Sequence, residues 1–220
     1  WLIPFQTGFG GWVMNDQYQP TLATPEMVNA LAFLHDLKSK HKVMPQESNY
    51  QTSDTLFKEK KAAFIINGAW ALKSYLDAGL NIGLVPIPRI NETGRLPAPM
   101  AAAKGYSINA NVKPDRMAAV LEILSYVTSA SVTEDFADLL ILPSRREALD
   151  SPRVTGDPLL SASRAAYEAG RRMPVVPEMR AVWDAMRPVQ QSVLNGSLKP
   201  DEAALKMQQD AIAKIASMKQ

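Results

Sequence analysis

Residues 1–9 are almost wholly apolar, and Gly10-Gly11 stops the run. After Pro4 this opening segment reads as a helix. Trp12-Val13-Met14 then meets Asn15-Asp16, a turn signal, which predicts a short strand pair around that turn. Thr24-Pro25-Glu26 sets a hydroxyl at the N-cap, a proline at the first helical position and an acid in the first turn. Met27, Leu31, Leu34 and Leu37 recur behind it at helical spacing, to about Lys42. Ser53-Asp54 opens a short helix over Leu56-Phe57 that dissolves in the Lys-rich stretch beyond. Residues 62–66 (Ala-Ala-Phe-Ile-Ile) form a continuous apolar run of strand length, the pattern of a strand buried on both faces. Asn67-Gly68 ends it, and residues 69–76 predict a helix that Gly79 terminates. Residues 82–86 predict a second buried strand, whose prolines put its end at a sheet edge.

Beyond a polar turn at residues 91–96, helical periodicity takes over from Pro114. Met117, Val120, Leu121, Leu124 and Val127 mark the inner side of one helix, residues 133–140 a second, and residues 157–169 a third that Gly170 stops. Pro177 starts a long helix with Met179, Val182, Trp183, Met186 and Val193 inside; Pro188 in its middle predicts a kink. Pro200-Asp201-Glu202 starts the last helix, with Leu205, Ile212, Ile215 and Ala216 assigned to its apolar face. Two buried runs among many helices predict an α/β class, rich in helix in its second half.

Composition narrows the chemistry. The 24 basic residues against 22 acidic ones give a formal charge of +2, and no basic stripe marks a nucleic-acid face. Cysteine is absent, which removes disulfides, zinc-thiolate sites, Fe–S clusters and thiol nucleophiles. The two histidines, His35 and His41, stand six apart, off the i,i+3 or i,i+4 spacing of a chelating pair, so no metal site is expected. No nucleophile elbow, P-loop or dinucleotide fingerprint occurs, so no catalytic residue and no cofactor is assigned. No stretch reaches the ~18 apolar residues of a membrane helix. A start without Met, inside an apolar segment, reads as a cut through a longer protein.

Two tryptophans carry the candidate site. Trp70 lies two residues after Gly68, at the end of the first predicted strand, where open α/β sheets bind ligands. Trp183 shares a helix face with Arg187, an aromatic plane beside a planar fork of donors. Either indole can stack on a sugar ring or pack into the core.

The segment Phe57-Lys58-x-x-Lys61-Ala62-Ala63-Phe64-Ile65-Ile66-Asn67-Gly68-Ala69-Trp70 resembles a motif of the family 1 extracellular solute-binding proteins, the maltose-binding-protein-like receptors of ABC sugar importers. Tyr106-Ser107-Ile108-Asn109-Ala110 before Lys113-Pro114 is similar to their next block, and Met173-Pro174-x-x-Pro177-x-Met179-x-x-x-Trp183-x-x-x-Arg187 to a third. The helix beginning Pro200-Asp201-Glu202-Ala203-Ala204 also fits. These blocks follow family order over almost the whole chain from Pro4.

The resemblance implies that Trp70 and Trp183 stack on sugar and that Arg187 and Met173 occupy binding-cleft positions. Trp1 falls within a residue or so of another aromatic cleft position. Leu72 stands in place of a second stacking tryptophan, and Asp184 in place of a tyrosine. Two platforms fewer argue against long maltodextrins, whereas Asp184 adds an acceptor for sugar hydroxyls.

The resemblance also implies a periplasmic-binding-protein-like lobe. Residues 1–101 and 151–220 are expected to form the C-terminal lobe, and 102–150 to belong to an N-terminal lobe otherwise absent. The implied protein is periplasmic or extracellular, lipid-anchored if the host has a single membrane. It would deliver a maltose- or oligosaccharide-type sugar to permease subunits. The helices of residues 114–140 would fold back on the lobe, swap with another chain to form a dimer, or pack on a crystal neighbour. The rival from another class is a carbohydrate-active hydrolase using a carboxylate pair. A third reading is a lobe kept as an interaction module that binds no sugar.

Overall fold

A computed structural model describes residues 1–218. In chain order its first helices are α1 (Leu2–Gly8), α2 (Pro25–Ser39), α3 (Tyr50–Lys58) and α4 (Leu72–Asp77). There follow α5 (Pro114–Val127), α6 (Ala130–Glu134), α7 (Arg146–Leu149), α8 (Pro152–Thr155) and α9 (Pro158–Glu168). The long helices α10 (Glu178–Leu194) and α11 (Pro200–Ser217) close the chain. Single 3₁₀ segments cover Ala69–Ala71 and Asp135–Leu139, and the two-residue strands β1 (Met100–Ala101) and β2 (Arg171–Arg172) pair with each other. The chain divides into two packing units. The first comprises Trp1–Ile65, Pro86–Met100 and everything from Ala169 onward; the second comprises Ile66–Val85 and Ala101–Glu168.

The first unit is built on α1, α2, α10 and α11. Leu2, Ile3 and Phe5 of α1 pack with Met27, Leu31 and Leu34 of α2 and with Met179, Val182, Met186 and Val193 of α10. At about 1.5–3 kcal/mol for each large side chain withdrawn from water, this core is the main stabilising term. The N-cap read at Thr24 forms: its hydroxyl oxygen accepts from the Met27 amide at 3.3 Å. The turn at Asn15 closes with an antiparallel bridge between Met14 and Pro20. Helix α10 continues through Pro188.

The last helix buries a different face from the one its large residues suggest. Leu205 and Ile212 are 53% and 52% exposed, and Ile215 is half-buried, whereas Ala203, Ala204, Met207 and Ala211 are sealed. The packed stripe is one of mostly small residues at helical spacing, which lets the α11 backbone come close to α10. Gln208 sits on the same helix and ties it to the loop before α2. Its side-chain oxygen accepts from the amides of Leu22 at 2.6 Å and Ala23 at 3.3 Å, and its nitrogen donates to the Pro20 carbonyl at 2.8 Å.

The second unit has a small core of Leu72, Ala137, Leu140, Val154 and Leu160. Helix α5 forms where its proline start predicts, yet none of its residues is buried. Met117, Val120, Leu124 and Val127 are half-covered, while Leu121, assigned to the inner side, is 52% exposed. The helix expected at residues 133–140 is split between α6 and the 3₁₀ segment, and Leu140 ends it in the left-handed conformation at φ 57°. Asp157 caps α9, accepting from the Leu159 and Leu160 amides at 2.8 and 2.9 Å. Arg153 reaches back to Asp135 at 2.8 Å and Asp138 at 2.5 Å, and these hydrogen bonds raise its pKa above the ordinary arginine value.

One sequence expectation needs correction. Residues 62–66 and 82–86 are extended but belong to no strand, and Phe64 and Val85 are 89% and 73% exposed. A continuous apolar run becomes a buried strand only when other strands take up its backbone hydrogen bonds on both edges. Among the described residues no such ladder flanks either run. Residues 66–85 and 151–168 pack with 101–150 in the second unit.

Candidate functional site

Trp70 lies in the second unit, on the 3₁₀ segment that leads into α4. Its indole is 56% exposed. One side of it rests on the backbone of Gly68, and the fit is tight. A Cβ at Gly68 would lie 2.2, 2.3 and 2.5 Å from ring atoms Cζ3, Cη2 and Cε3. Gly68 has an ordinary extended backbone at φ −96°, so its small size is what matters here, not a left-handed conformation. Asn67 holds the turn from the other side. Its amide nitrogen donates to the buried Tyr75 hydroxyl at 2.6 Å and its oxygen accepts from the Gly68 amide at 2.8 Å. Tyr75 is 2% exposed, so the turn that presents the indole is tied to an immobile ring. The Lys104 ammonium stands over the Trp70 ring, 6.0 Å from its centroid.

The other candidate residues belong to the first unit. Trp183 is half-buried on α10 and packs against the core, as does Met173 on the extended approach to that helix. The neighbouring Asp184 is exposed, and so is Arg187 one turn beyond Trp183. Trp1 is 47% exposed. Within the first unit, the Trp183 indole and the Arg187 guanidinium on one helix can offer stacking and hydrogen bonding to a hydroxyl-rich ring.

Leu72, the position where the resemblance has a second stacking tryptophan, is a buried member of the small core. The site thus has one platform at this turn. Among the described residues no group of His, Asp and Glu is arranged to hold a metal ion. His35 instead meets its own helix neighbour, with Ser39 Oγ 3.2 Å from Nδ1. Two surface hollows lie elsewhere. One of about 290 Å³ is lined by Lys73, Asp138, Arg153 and Asp157, and one of about 370 Å³ by Pro25, Val28, Ala204 and Leu205.

The sequence reading missed two contacts. Arg171 stacks on Trp12 at 4.2 Å, and Lys104 stands over Trp70. Both join residues far apart in the chain, and no local spacing encodes them.

Residues 1–162 match the family model described as bacterial extracellular solute-binding protein. The chain is 29% identical over 211 residues to the maltotriose-binding protein of Pyrococcus abyssi, covering 94% of this chain and 46% of that protein. It is 27% identical over 160 residues to the galactooligosaccharide-binding protein of Bacillus subtilis, 71% of this chain and 37% of the relative. Among solved structures, the maltose/maltodextrin-binding domain MalE from Bdellovibrio bacteriovorus bound to maltotriose superposes with a TM-score of 0.90 at 39% identity. That match covers 98% of this chain and 57% of the other. A cyclo/maltodextrin-binding protein complexed with maltotetraose gives 0.84 at 26% identity, over 100% and 57%. The chain spans about half the length of these relatives. Its fold is therefore the helix-rich α/β fold of a periplasmic-binding-protein-like lobe, and the chain belongs to the bacterial extracellular solute-binding protein family.

Proposed function

We propose that this chain is part of the sugar-binding component of an ABC importer, one that takes up a maltose- or oligosaccharide-type ligand outside the cytoplasmic membrane and passes it to permease subunits. The observation that carries the reading is the match, over 98% of the chain at 39% identity, to a domain bound to maltotriose. Trp70 and Trp183 act as stacking platforms, Arg187 and Asp184 exchange hydrogen bonds with hydroxyls, and Met173 and Trp1 supply apolar contact. The role is binding without turnover. The location is periplasmic or extracellular, with a lipid anchor in a host with a single membrane; two streptococcal relatives are named as solute-binding lipoproteins. Residues 1–101 and 151–220 form the C-terminal lobe and 102–150 belong to the N-terminal one; the packing of 1–65 with 86–100 and the α10–α11 segment supports the first part.

Calorimetric titration of the 220-residue chain with maltotriose tests this reading, with chromatography of the sugar afterwards. Saturable binding with the sugar recovered intact supports it. Release of shorter sugars would convict the chain as a hydrolase. Trp70→Ala and Trp183→Ala should each lose roughly 1–3 kcal/mol of binding, the range of aromatic stacking platforms. Binding unchanged by either substitution would remove that residue from the site.

A further inference from the structure

We infer that Asn67 is a site of spontaneous covalent modification, an asparagine that the fold presents to the Gly68 amide for closure to a succinimide and conversion to aspartate and isoaspartate. Asn-Gly is the dipeptide most open to this reaction, because glycine leaves the attacking nitrogen unshielded. The chain holds two such pairs, Asn67-Gly68 and Asn195-Gly196, and the structure treats them oppositely. At the first, the Gly68 amide donates to Asn67 Oδ1 at 2.8 Å, while Asn67 Nδ2 donates to the Tyr75 hydroxyl at 2.6 Å. Among the described residues no backbone carbonyl competes for the Gly68 N–H. The side-chain carbon is held beside the nitrogen: Cγ lies one carbonyl bond, about 1.2 Å, from an oxygen that the nitrogen already contacts. That placement approaches the roughly 3–3.5 Å separation from which reacting atoms close. At the second pair the Gly196 N–H donates to the Val193 carbonyl at 2.9 Å. Asn195 Oδ1 there accepts from Gln191 Nε2 at 3.3 Å and Lys38 Nζ at 3.4 Å. The nitrogen is occupied and the side chain turned elsewhere, so attack requires the end of α10 to open. Asn195 is exposed and Asn67 half-buried, so solvent access alone would favour the opposite order. Geometry makes Asn67 the reactive one.

The steps balance with water as the co-reactant. The Gly68 amide gives its proton to solvent base and its nitrogen bonds to Asn67 Cγ. The Cγ–Nδ2 bond breaks, and ammonia leaves with a proton from water. Water then opens the ring. Cleavage of the new bond to Cγ yields aspartate; cleavage at the Asn67 main-chain carbonyl yields isoaspartate, whose backbone runs on through the former side chain. Either product exchanges the Nδ2 donor for a carboxylate, which ends the hydrogen bond that Nδ2 gives to Tyr75. Isoaspartate also lengthens the main chain by one carbon directly before Gly68, where a single added Cβ would already meet the Trp70 ring at 2.2 Å. The indole is displaced in consequence. The effect on sugar binding rests on the reading of Trp70 as a sugar platform, whereas the modification itself does not.

The test incubates the 220-residue chain in mildly alkaline buffer, folded and in concentrated urea. Peptide mass mapping follows both Asn-Gly pairs, and protein isoaspartate methyltransferase detects isoaspartate, which direct hydrolysis of the side-chain amide cannot give. In the folded chain Asn67 is expected to convert at least about tenfold faster than Asn195, with isoaspartate among the products. In urea, where both pairs lose their geometry, the two rates should agree within about twofold. Conversion of Asn67 no faster than that of Asn195 in the folded chain, or conversion without isoaspartate, overturns the inference. Anion exchange then separates converted chains, each carrying an added negative charge, for titration with maltotriose. They should bind at least about tenfold more weakly than the intact chain, as loss of one stacking platform requires. Equal binding by the converted and intact fractions would overturn the effect on the site and leave the modification standing. If the intact chain binds no maltotriose, the sugar-binding function falls, while the rates at Asn67 and Asn195 still decide whether the modification occurs.

Discussion

At the residue scale, the site depends on a position with no side chain. Gly68→Ala forces a methyl into the space that the Trp70 ring occupies, and the neighbour that must give is the platform itself. The expected result is weaker maltotriose binding together with a shift in Trp70 emission and easier quenching by acrylamide. In a Trp70→Ala background the same substitution should have no further effect on binding, a coupling that a general loss of stability would not produce. The adjacency of Gly68 and Trp70 was legible in the sequence, because the Asn-Gly stop and the aromatic lie within four residues. Lys104 was not, since it reaches the ring from 34 positions away through tertiary packing alone.

At the element scale, helices were legible and strands were not, and the reason is where each finds its hydrogen bonds. A helix satisfies its backbone within its own segment, so Thr24-Pro25-Glu26 and Pro200-Asp201-Glu202 mark starts that the structure keeps. A strand depends on partners elsewhere in the chain, so the runs at 62–66 and 82–86 had the right composition without the ladder. The apolar face of α11 failed for another reason. Size suggested Leu205 and Ile212, but close approach to α10 selects Ala203, Ala204 and Ala211 around Met207. This choice is open to mutation. Leu205→Lys and Ile212→Lys should change stability by less than about 0.5 kcal/mol, as exposed surface substitutions do. Met207→Ala should cost about 2–5 kcal/mol through the cavity it leaves, and Ala204→Leu about 1–3 kcal/mol through overpacking. Urea midpoints for the four variants decide the matter. Destabilisation by the two lysines and tolerance at 204 and 207 would restore the face read from the sequence.

At the scale of the whole molecule, the two units differ in how much apolar surface they seal. The first seals one face of each of four helices and the loop before α2, with Leu2, Phe5, Leu22, Met27, Leu31, Val182, Val193 and Met207 at 4% exposure or less. The second has an apolar cluster of five buried residues, with Ala71, Tyr75 and Ala148 sealed outside it, and leaves Leu121, Ile123 and Tyr126 of α5 at 52%, 61% and 69% exposure. Burial of a large apolar side chain contributes about 1.5–3 kcal/mol, against about 1–2 kcal/mol of backbone entropy for every residue ordered. A core of five residues cannot offset the ordering of a unit of this length by the same margin. Opening should therefore be cheaper in the second unit, and amide exchange should report it. In the 220-residue chain, amides of α1, α2, α10 and α11 should exchange slowest, at rates set by global unfolding. Those of α5, α6 and α9 should exchange through local opening, faster by about tenfold for each 1.4 kcal/mol of difference. The runs at 63–66 and 82–86 should lose protons faster than any helix, since no ladder holds them. Mass-resolved exchange on peptic peptides separates these classes directly. Uniform protection from α1 to α11 would show that the second unit is as well sealed as the first, and that its stability has a source other than the five residues of its core.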